Sequence, residues 1–306
     1  MDIILHHYPP SPFSEKVRVA LGIKKLAWRS VEIPRVPPKP DVMPLTGGYR
    51  RTPFMQIGAD IYCDSHCILR EIQRRHPTPT FFPGESEGVT WALGRWTDAV
   101  FDTLVKLFMG ANFDQLPEAF RQDRGRLFLG PAWDAAKLKA DVPHVASQLR
   151  AQFAWIDRQL GDGRRYLPGA VPGLFDAMCY YLVWFTRSRW QDGPNLLAEF
   201  SRLEKWEQRV KDLGHGKPSP MTPAEAIEIA RSSETATPER GDAKELQGLR
   251  PGQRVSVVAD ADSGEVPVQG VIRMVNANSI AILRDHPRVG SVCVHYPRVG
   301  YRVAVA

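Results

Sequence analysis

The residues best placed to do chemistry stand near the N-terminus, in Tyr8-Pro9-Pro10-Ser11-Pro12-Phe13-Ser14-Glu15-Lys16-Val17-Arg18. After Ser11-Pro12, the residues Phe13, Val17, Ala20 and Leu21 follow at i, i+4, i+7 and i+8, one face of a helix that Gly22 can stop. Ser11 then falls at the N-cap and Pro12 at N1, where a missing N–H costs nothing and φ is already helical. A hydroxyl held there, among free N–H groups at the positive end of the helix dipole, is placed to stabilise an anion, and an anionic sulfur is one candidate. Helix capping alone also accounts for the Ser-Pro pair. Ser14 offers a second hydroxyl one turn on, and Tyr8 a third just before the cap.

Elements of recognisable type surround this stretch. Residues 1 to about 80 read β-α-β, a Pro-rich break, then β-β-α: Ile3–His7, Phe13–Leu21, Trp28–Ile33, Phe54–Ile57, Ile61–Cys63 and a helix from Ser65 to Arg75. Gly58-Ala59-Asp60 is of hairpin length, while Pro34, Pro37, Pro38, Pro40 and Pro44 predict a surface loop without regular structure. Thr80–Gly88 reads as a linker. The pattern then changes to long helices over Val89–Met109, Val145–Leu160, Leu174–Arg187 and Leu196–Leu213, with a short one at Ala224–Ala230. Trp91, Trp96, Trp155, Trp184, Trp190 and Trp206 are expected mostly to pack between these helices. Ser232–Asp242 is polar and predicts a flexible linker. Beyond it, Arg254–Val258, Val266–Val275, Ser279–Leu283, Val292–Tyr296 and Tyr301–Val305 are β-branched runs separated by turn residues, which suggests a small SH3-like barrel. The expected domains are therefore 1–80, 89–231 and 243–306: α/β, all-helical and small all-β.

Composition narrows the class. The chain has 306 residues, too many for one small core, with 43% apolar and 24% charged residues as in ordinary soluble proteins. A formal charge of +6 does not by itself point to nucleic acid. No stretch approaches the roughly 18 consecutive apolar residues of a membrane span, and no secretory pattern opens the chain, so a cytoplasmic protein is expected. Cys63, Cys67, Cys179 and Cys293 are too scattered for a disulfide framework. Cys63-Asp64-Ser65-His66-Cys67 has ligand-type residues but no second ligand pair at zinc spacing, so no metal site is expected there.

With these residues assembled, about the first 230 resemble the glutathione S-transferase superfamily, a thioredoxin-like domain followed by a helical bundle. Ser11-Pro12-Phe13-Ser14 is similar to the Cys-Pro-x-Cys turn of thioredoxin-like proteins with serine at both cysteine positions. Thr52-Pro53-Phe54-Met55 resembles the segment in which a cis-proline precedes the third strand. Asp64-Ser65 resembles the acidic-Ser pair that opens the third helix. The resemblance implies a transferase that binds glutathione as co-substrate, a tripeptide with two carboxylates and one thiol. Asp64 is then expected to face its ammonium, Ser65 and the helix N-terminus to hold the γ-glutamyl carboxylate, Thr52 and Pro53 to offer backbone groups to the cysteinyl part, and Arg51 to lie near the glycyl carboxylate, with Arg50 competing for that place. Ser11 is the first candidate to hold the thiolate, Ser14 the second and Tyr8 the third. Lowering a thiol pKa by two units corresponds to about 2.7 kcal/mol, within reach of one hydroxyl and a helix N-terminus. Without cysteine at positions 11 and 14, disulfide exchange on the protein itself is disfavoured, whereas conjugation to a small electrophile or peroxide reduction through glutathione's sulfur remains open.

The resemblance further implies a homodimer and a second-substrate pocket involving the Tyr8–Pro10 loop and Phe101, Leu104, Phe108 and Met109. Two departures stand out: the proline-rich stretch replaces a short helix usual in the family, and Gly173 stands where a Ser or Thr usually caps the helix carrying Asp176. The last domain lies outside the resemblance. From Asp242 to Ala306 there are eight Lys plus Arg against six Asp plus Glu, so nucleic acid is not the expected partner despite aromatics interleaved with charges near the end. Surface decoration, a cover over the transferase site and a joint between subunits are the alternatives for it. A non-catalytic binding module using this domain as an adaptor is the competing function.

Overall fold

The computed structural model describes residues 2–236, 241 and 244–306. The N-terminal elements are β1 (Ile4–His7), α1 (Pro12–Ile23), β2 (Ala27–Glu32), α2 (Val42–Thr46), β3 (Phe54–Ile57), β4 (Asp60–Cys63) and α3 (Ser65–Arg75). Helices α4 (Glu87–Ala111), α5 (Glu118–Leu129), α6 (Ala135–Ala140), α7 (Val142–Gln159), α8 (Leu174–Arg189), α9 (Gly193–Leu197) and α10 (Ser201–Lys211) follow. The chain continues through β5 (Lys217–Pro220), α11 (Pro223–Ser232), β6 (Arg254–Ala259), β7 (Val268–Val275), β8 (Ser279–His286), β9 (Gly290–Pro297) and β10 (Tyr301–Val305). An α/β portion, a helical portion and a C-terminal β portion are all present, as the sequence predicts.

Two compact units form, one from residues up to 14, 27–72 and 217–306, the other from 15–26 and 73–216. The first unit holds a single sheet of the described strands in the order β10-β6-β7-β8-β9-β4-β3-β1-β2-β5. Within it β6 to β10 are antiparallel, and a register shift between Ile272 and Met274 bends β7. This β portion is not free-standing, because β9 lies parallel to β4 with Asp60 opposite Cys293 and Tyr62 opposite His295. Burial opposes a charged imidazole at His295, but Asp60 and Cys293 outweigh it and raise that residue to about 10, so an ion pair is buried at the junction.

The apolar core explains why the sheet is continuous. Tyr8, Val42, Leu45, Tyr49, Phe54 and Ile61 from the N-terminal part share one cluster with Val268, Ile282, Val294 and Tyr296 from the C-terminal part. Gly47 has φ +76°, and a Cβ there would run into the Arg284 and Val268 side chains, so close approach as well as conformation calls for glycine. At the opposite edge, β5 pairs parallel with β2 through a Lys-Pro-Ser-Pro strand, and prolines are tolerated there because an edge strand needs fewer donors. Helix α11 belongs to this unit: its Ala226 carbonyl accepts from Gln56 Nε2 at 2.8 Å. Of the linker expected at 232–242, part lies outside the described residues; Ser232 closes α11, and the Ala236 N–H donates to Asp60 Oδ2 at 2.7 Å.

The proline-rich stretch departs from expectation. It contains helix α2, and Lys39, Val42 and Leu45 are buried, so it is structured rather than a loose surface loop. Helices α5 and α6 and strand β5 were also not predicted, and the long helix expected at Leu196–Leu213 is broken between α9 and α10.

The second unit is helical. Trp206 is fully buried, whereas Trp155 is 53% exposed, with its ring 6.2 Å from that of Trp96. Gly173 caps α8 without a side chain, and Asp176 compensates. Its carboxylate accepts from the N–H groups of Gly173 (2.9 Å) and Leu167 (2.8 Å) and from Trp206 Nε1 (2.7 Å). Burial pushes this carboxyl up to about 6 against the pull of those donors.

Asp176→Asn is therefore expected to lower stability by about 2–3 kcal/mol at pH 7.5, measured by urea unfolding, since an amide cannot accept all three bonds and leaves a buried donor unpaired. His6 in the first unit carries a pH dependence. It stacks on Phe54 at 4.1 Å, bonds Gln56 at 2.9 Å, and burial lowers its pKa to about 4. The unfolded imidazole binds a proton below 6.5 and the folded one only near 4, so its stabilising contribution is present above 6.5 and falls, by up to about 3 kcal/mol, as pH drops toward 4. The stability difference between wild type and His6→Phe, followed by denaturant unfolding from pH 7 to 4, should shrink accordingly.

Candidate active site

Every residue expected to bind or activate glutathione lies in the sheet-bearing unit. Ser11 precedes α1, and its Oγ accepts the Ser14 N–H at 3.2 Å, the bond of an N-cap. That bond occupies an oxygen lone pair and leaves the hydroxyl proton for another acceptor. Ser11 is 1% exposed, and Ser14 is fully buried with no hydrogen-bond partner for its Oγ among the described residues. Tyr8 is packed in the apolar core, with the Arg35 guanidinium 6.0 Å from its ring centre.

The Thr52–Pro53 bond is cis and directly precedes β3. Thr52 Oγ1 accepts from Lys39 Nζ at 3.1 Å, and the same ammonium donates to the Arg50 carbonyl at 2.9 Å. Lys39 was not among the expected site residues. Its one sequence signal is a lysine between prolines, which reads equally well as solvated surface. At the start of α3, Ser65 is buried as the first helical residue. Asp64 before it has φ +74°, a left-handed conformation uncommon for a residue with a Cβ and one that concentrates at ligand sites.

The charged groups expected to meet glutathione already have partners, and the C-terminal β portion supplies two of them, Glu265 from the loop between β6 and β7 and Tyr301 from the start of β10. Arg51 donates to Glu265 Oε2 from Nε (2.8 Å) and Nη2 (2.5 Å). Burial works against the Arg51 charge, but Glu265 outweighs it and raises its pKa; burial likewise opposes charge on Glu265, and Arg51 with Ser263 brings it below the usual carboxylate range. Asp64 Oδ1 accepts the His66 N–H at 2.8 Å, and Oδ2 accepts the Tyr301 hydroxyl at 3.1 Å. Tyr301 and Tyr49 are both held well above the usual phenol range, chiefly by burial, with the Asp64 charge adding to the rise in both and Tyr49 adding to that of Tyr301. Arg284 Nη1 donates to the Pro44 carbonyl at 2.5 Å, and Arg288 to the Pro40 carbonyl at 3.0 Å and Asp41 Oδ1 at 2.7 Å. The C-terminal strands thus clasp the segment from Pro40 to Arg51 and the start of α3.

A family model described as the glutathione S-transferase N-terminal domain matches residues 5–80. A solved GST-like protein from Pseudomonas syringae is 32% identical, with the alignment covering 100% of this chain and 99% of that one at a TM-score of 0.78. The chain belongs to the glutathione S-transferase superfamily. The likeness to the transferase from Rhodospirillum rubrum F11 (18% identity, 68% of this chain, 87% of that one, TM-score 0.52) concerns the fold alone. The same holds for the Tau class transferase from mango (16% identity, 75% of this chain, 97% of that one, TM-score 0.53). No curated protein sequence matches the chain. Among the described residues no helix is long and apolar enough to cross a membrane.

Phe101, Leu104 and Met109 of this transferase-superfamily chain are buried in the helical unit, where Phe101 meets Phe128, Tyr181 and Phe185. Phe108, less buried, meets Phe120 and Phe185. Cys63 and Cys179 are buried thiols pushed well above their ordinary range by desolvation, the opposite of an activated nucleophile. Tyr301→Phe removes the hydrogen bond to the partly exposed Asp64 carboxylate and the one shared with Tyr49, and is expected to cost about 1–3 kcal/mol in urea unfolding, leaving the secondary structure by circular dichroism unchanged.

Proposed function

We propose that this protein is a glutathione-dependent transferase in which Ser11 stabilises the thiolate and the C-terminal strands must yield before glutathione takes its place. The observation that supports this most is the Ser11 cap: its oxygen is engaged by the Ser14 N–H at 3.2 Å, which leaves the hydroxyl proton available to an acceptor at the positive end of α1. A sulfur receiving that proton as a hydrogen bond is favoured as thiolate, the form that attacks carbon. With an aryl halide the S–C bond forms, halide leaves and the thiol proton passes to solvent. Ser14, with its unpartnered buried hydroxyl, is the second donor and Tyr8 the third.

Binding is assigned to Arg51, Thr52, Pro53, Asp64 and Ser65, to which we add Lys39. The glycyl carboxylate of glutathione would exchange with Glu265 on Arg51, a swap of one carboxylate for another, and the γ-glutamyl ammonium would share Asp64 with Tyr301. A cytoplasmic homodimer acting on small electrophiles completes the proposal; light scattering on the purified chain tests the dimer.

Retention on immobilised glutathione followed by turnover of an electrophilic aryl halide is the direct test. Ser11→Ala should reduce turnover about 10- to 100-fold, the loss of one charge-assisted hydrogen bond, while glutathione affinity changes little. Unchanged turnover would remove Ser11 from the role and move attention to Ser14→Ala and Tyr8→Phe. Glu265→Gln, which keeps an acceptor for Arg51 but removes the competing charge, should tighten glutathione binding by about 3- to 10-fold.

The pairing of Arg51 and Asp64 within the chain also favours a second reading, a non-catalytic adaptor whose ligand groups are permanently satisfied. Absence of both retention and turnover in wild type and in Glu265→Gln would establish that reading over the first.

A further inference from the structure

Strand β9 carries Cys293 and His295 two residues apart, so strand periodicity turns both side chains to one face of the sheet. The parallel register with β4 sets Asp60 opposite Cys293 and Tyr62 opposite His295. A sulfur, an imidazole nitrogen and a carboxylate oxygen thereby converge, all within 4.8 Å of one another. Asp60 and Cys293 are buried and His295 is nearly so, and none of the three is among the residues assigned to glutathione.

We propose that Asp60, Cys293 and His295 form a binding site for a zinc-type divalent cation that clips the C-terminal strands to β4. A mixed sulfur, nitrogen and oxygen donor set suits zinc, and not magnesium or calcium, which take oxygen ligands. Bonds of about 2.0–2.3 Å to a tetrahedral ion hold donors roughly 3.3–3.8 Å apart. His295 Nε2 and Asp60 Oδ1, now hydrogen-bonded at 2.7 Å, part by less than about 1 Å to admit it, and the ion takes the place of the imidazolium proton between them and of the Cys293 thiol proton, both of which pass to solvent. Three protein ligands leave a fourth position for water or a small ligand.

The surrounding groups orient the ligands. The Ala236 N–H donates to Asp60 Oδ2 at 2.7 Å, which leaves Oδ1 for the cluster. Tyr62 stacks on the His295 ring at 4.5 Å and an interplanar angle of 17°, and donates its own hydroxyl to Glu71 at 2.9 Å, which fixes it as a platform. The Cys293 N–H donates to the Ala59 carbonyl at 3.0 Å, anchoring the backbone beside the thiol. Outer partners of this kind hold metal ligands in place before the ion arrives. The ion would join positions 60 and 293, so removing it should loosen the C-terminal strands.

Titration of the tag-free full chain with Co(II), used as a spectroscopic substitute for zinc, tests the site. The expected result is one equivalent bound with a thiolate-to-cobalt charge-transfer band in the near ultraviolet, displaced by Zn(II), together with a rise in melting temperature. Cys293→Ser should abolish the band and Asp60→Asn should weaken Co(II) binding at least about 10-fold, since loss of even an outer partner of a metal ligand costs that much, while Cys179→Ser leaves both intact. Absence of the band in the wild-type chain overturns the proposal whatever the variants do, and so does a band that survives Cys293→Ser.

Discussion

The parallel pairing of β4 with β9 is the constraint on which the first unit depends. Once Asp60, Ile61 and Tyr62 take Cys293, Val294 and His295 as neighbours, alternation along each strand decides which side chains enter the shared core and which face the other way. Ile61 and Val294 go into the apolar cluster with Val268 and Ile282, whereas Asp60, Cys293 and His295 converge on the opposite face. A slip of one residue would bury the ionisable groups among aliphatic chains, so the two halves of the sheet reinforce a single register. The same pairing closes the β4 edge, which would otherwise expose unpaired backbone groups.

From that join follows the state of the candidate active site. The Glu265 carboxylate is 7% exposed and requires a counter-charge, which the half-buried Arg51 supplies; Asp64 receives the Tyr301 hydroxyl. The C-terminal strands therefore do more than extend the sheet, since they satisfy groups that a carboxylate- and ammonium-bearing ligand would otherwise satisfy. In the proposed role a ligand binds there by exchange, and its apparent affinity carries the cost of displacing those partners. Ser11 stands differently, because its cap bond is made within the first turn of α1 and does not depend on the C-terminal strands.

Much of this was legible in local patterns. The Ser11-Pro12 start of α1, the short apolar run of β3, the helix opened by Ser65 and the five C-terminal strands follow from capping preference, periodicity and turn residues, all properties of a few adjacent residues. Helix α2 was hidden because five prolines argue against regular structure, yet Pro44 sits inside a five-residue helix held by burial of Val42 and Leu45. Strand β5 was hidden for the same reason, since its prolines are tolerated only because it lies at an edge. No local pattern marks Lys39 as buried, because burial depends on what folds over a residue.

By itself, the sequence determined the elements with strong local patterns, the three kinds of structure along the chain, the absence of cysteine at positions 11 and 14, and the hydroxyl at the start of α1. Each rests on neighbours within one or two turns. Only the tertiary structure decided that β9 joins β4, that Arg51 meets Glu265 and Asp64 meets Tyr301, and that Asp60, Cys293 and His295 share one face. These contacts link residues more than 200 positions apart, and strand order and register, which no local pattern encodes, bring them together.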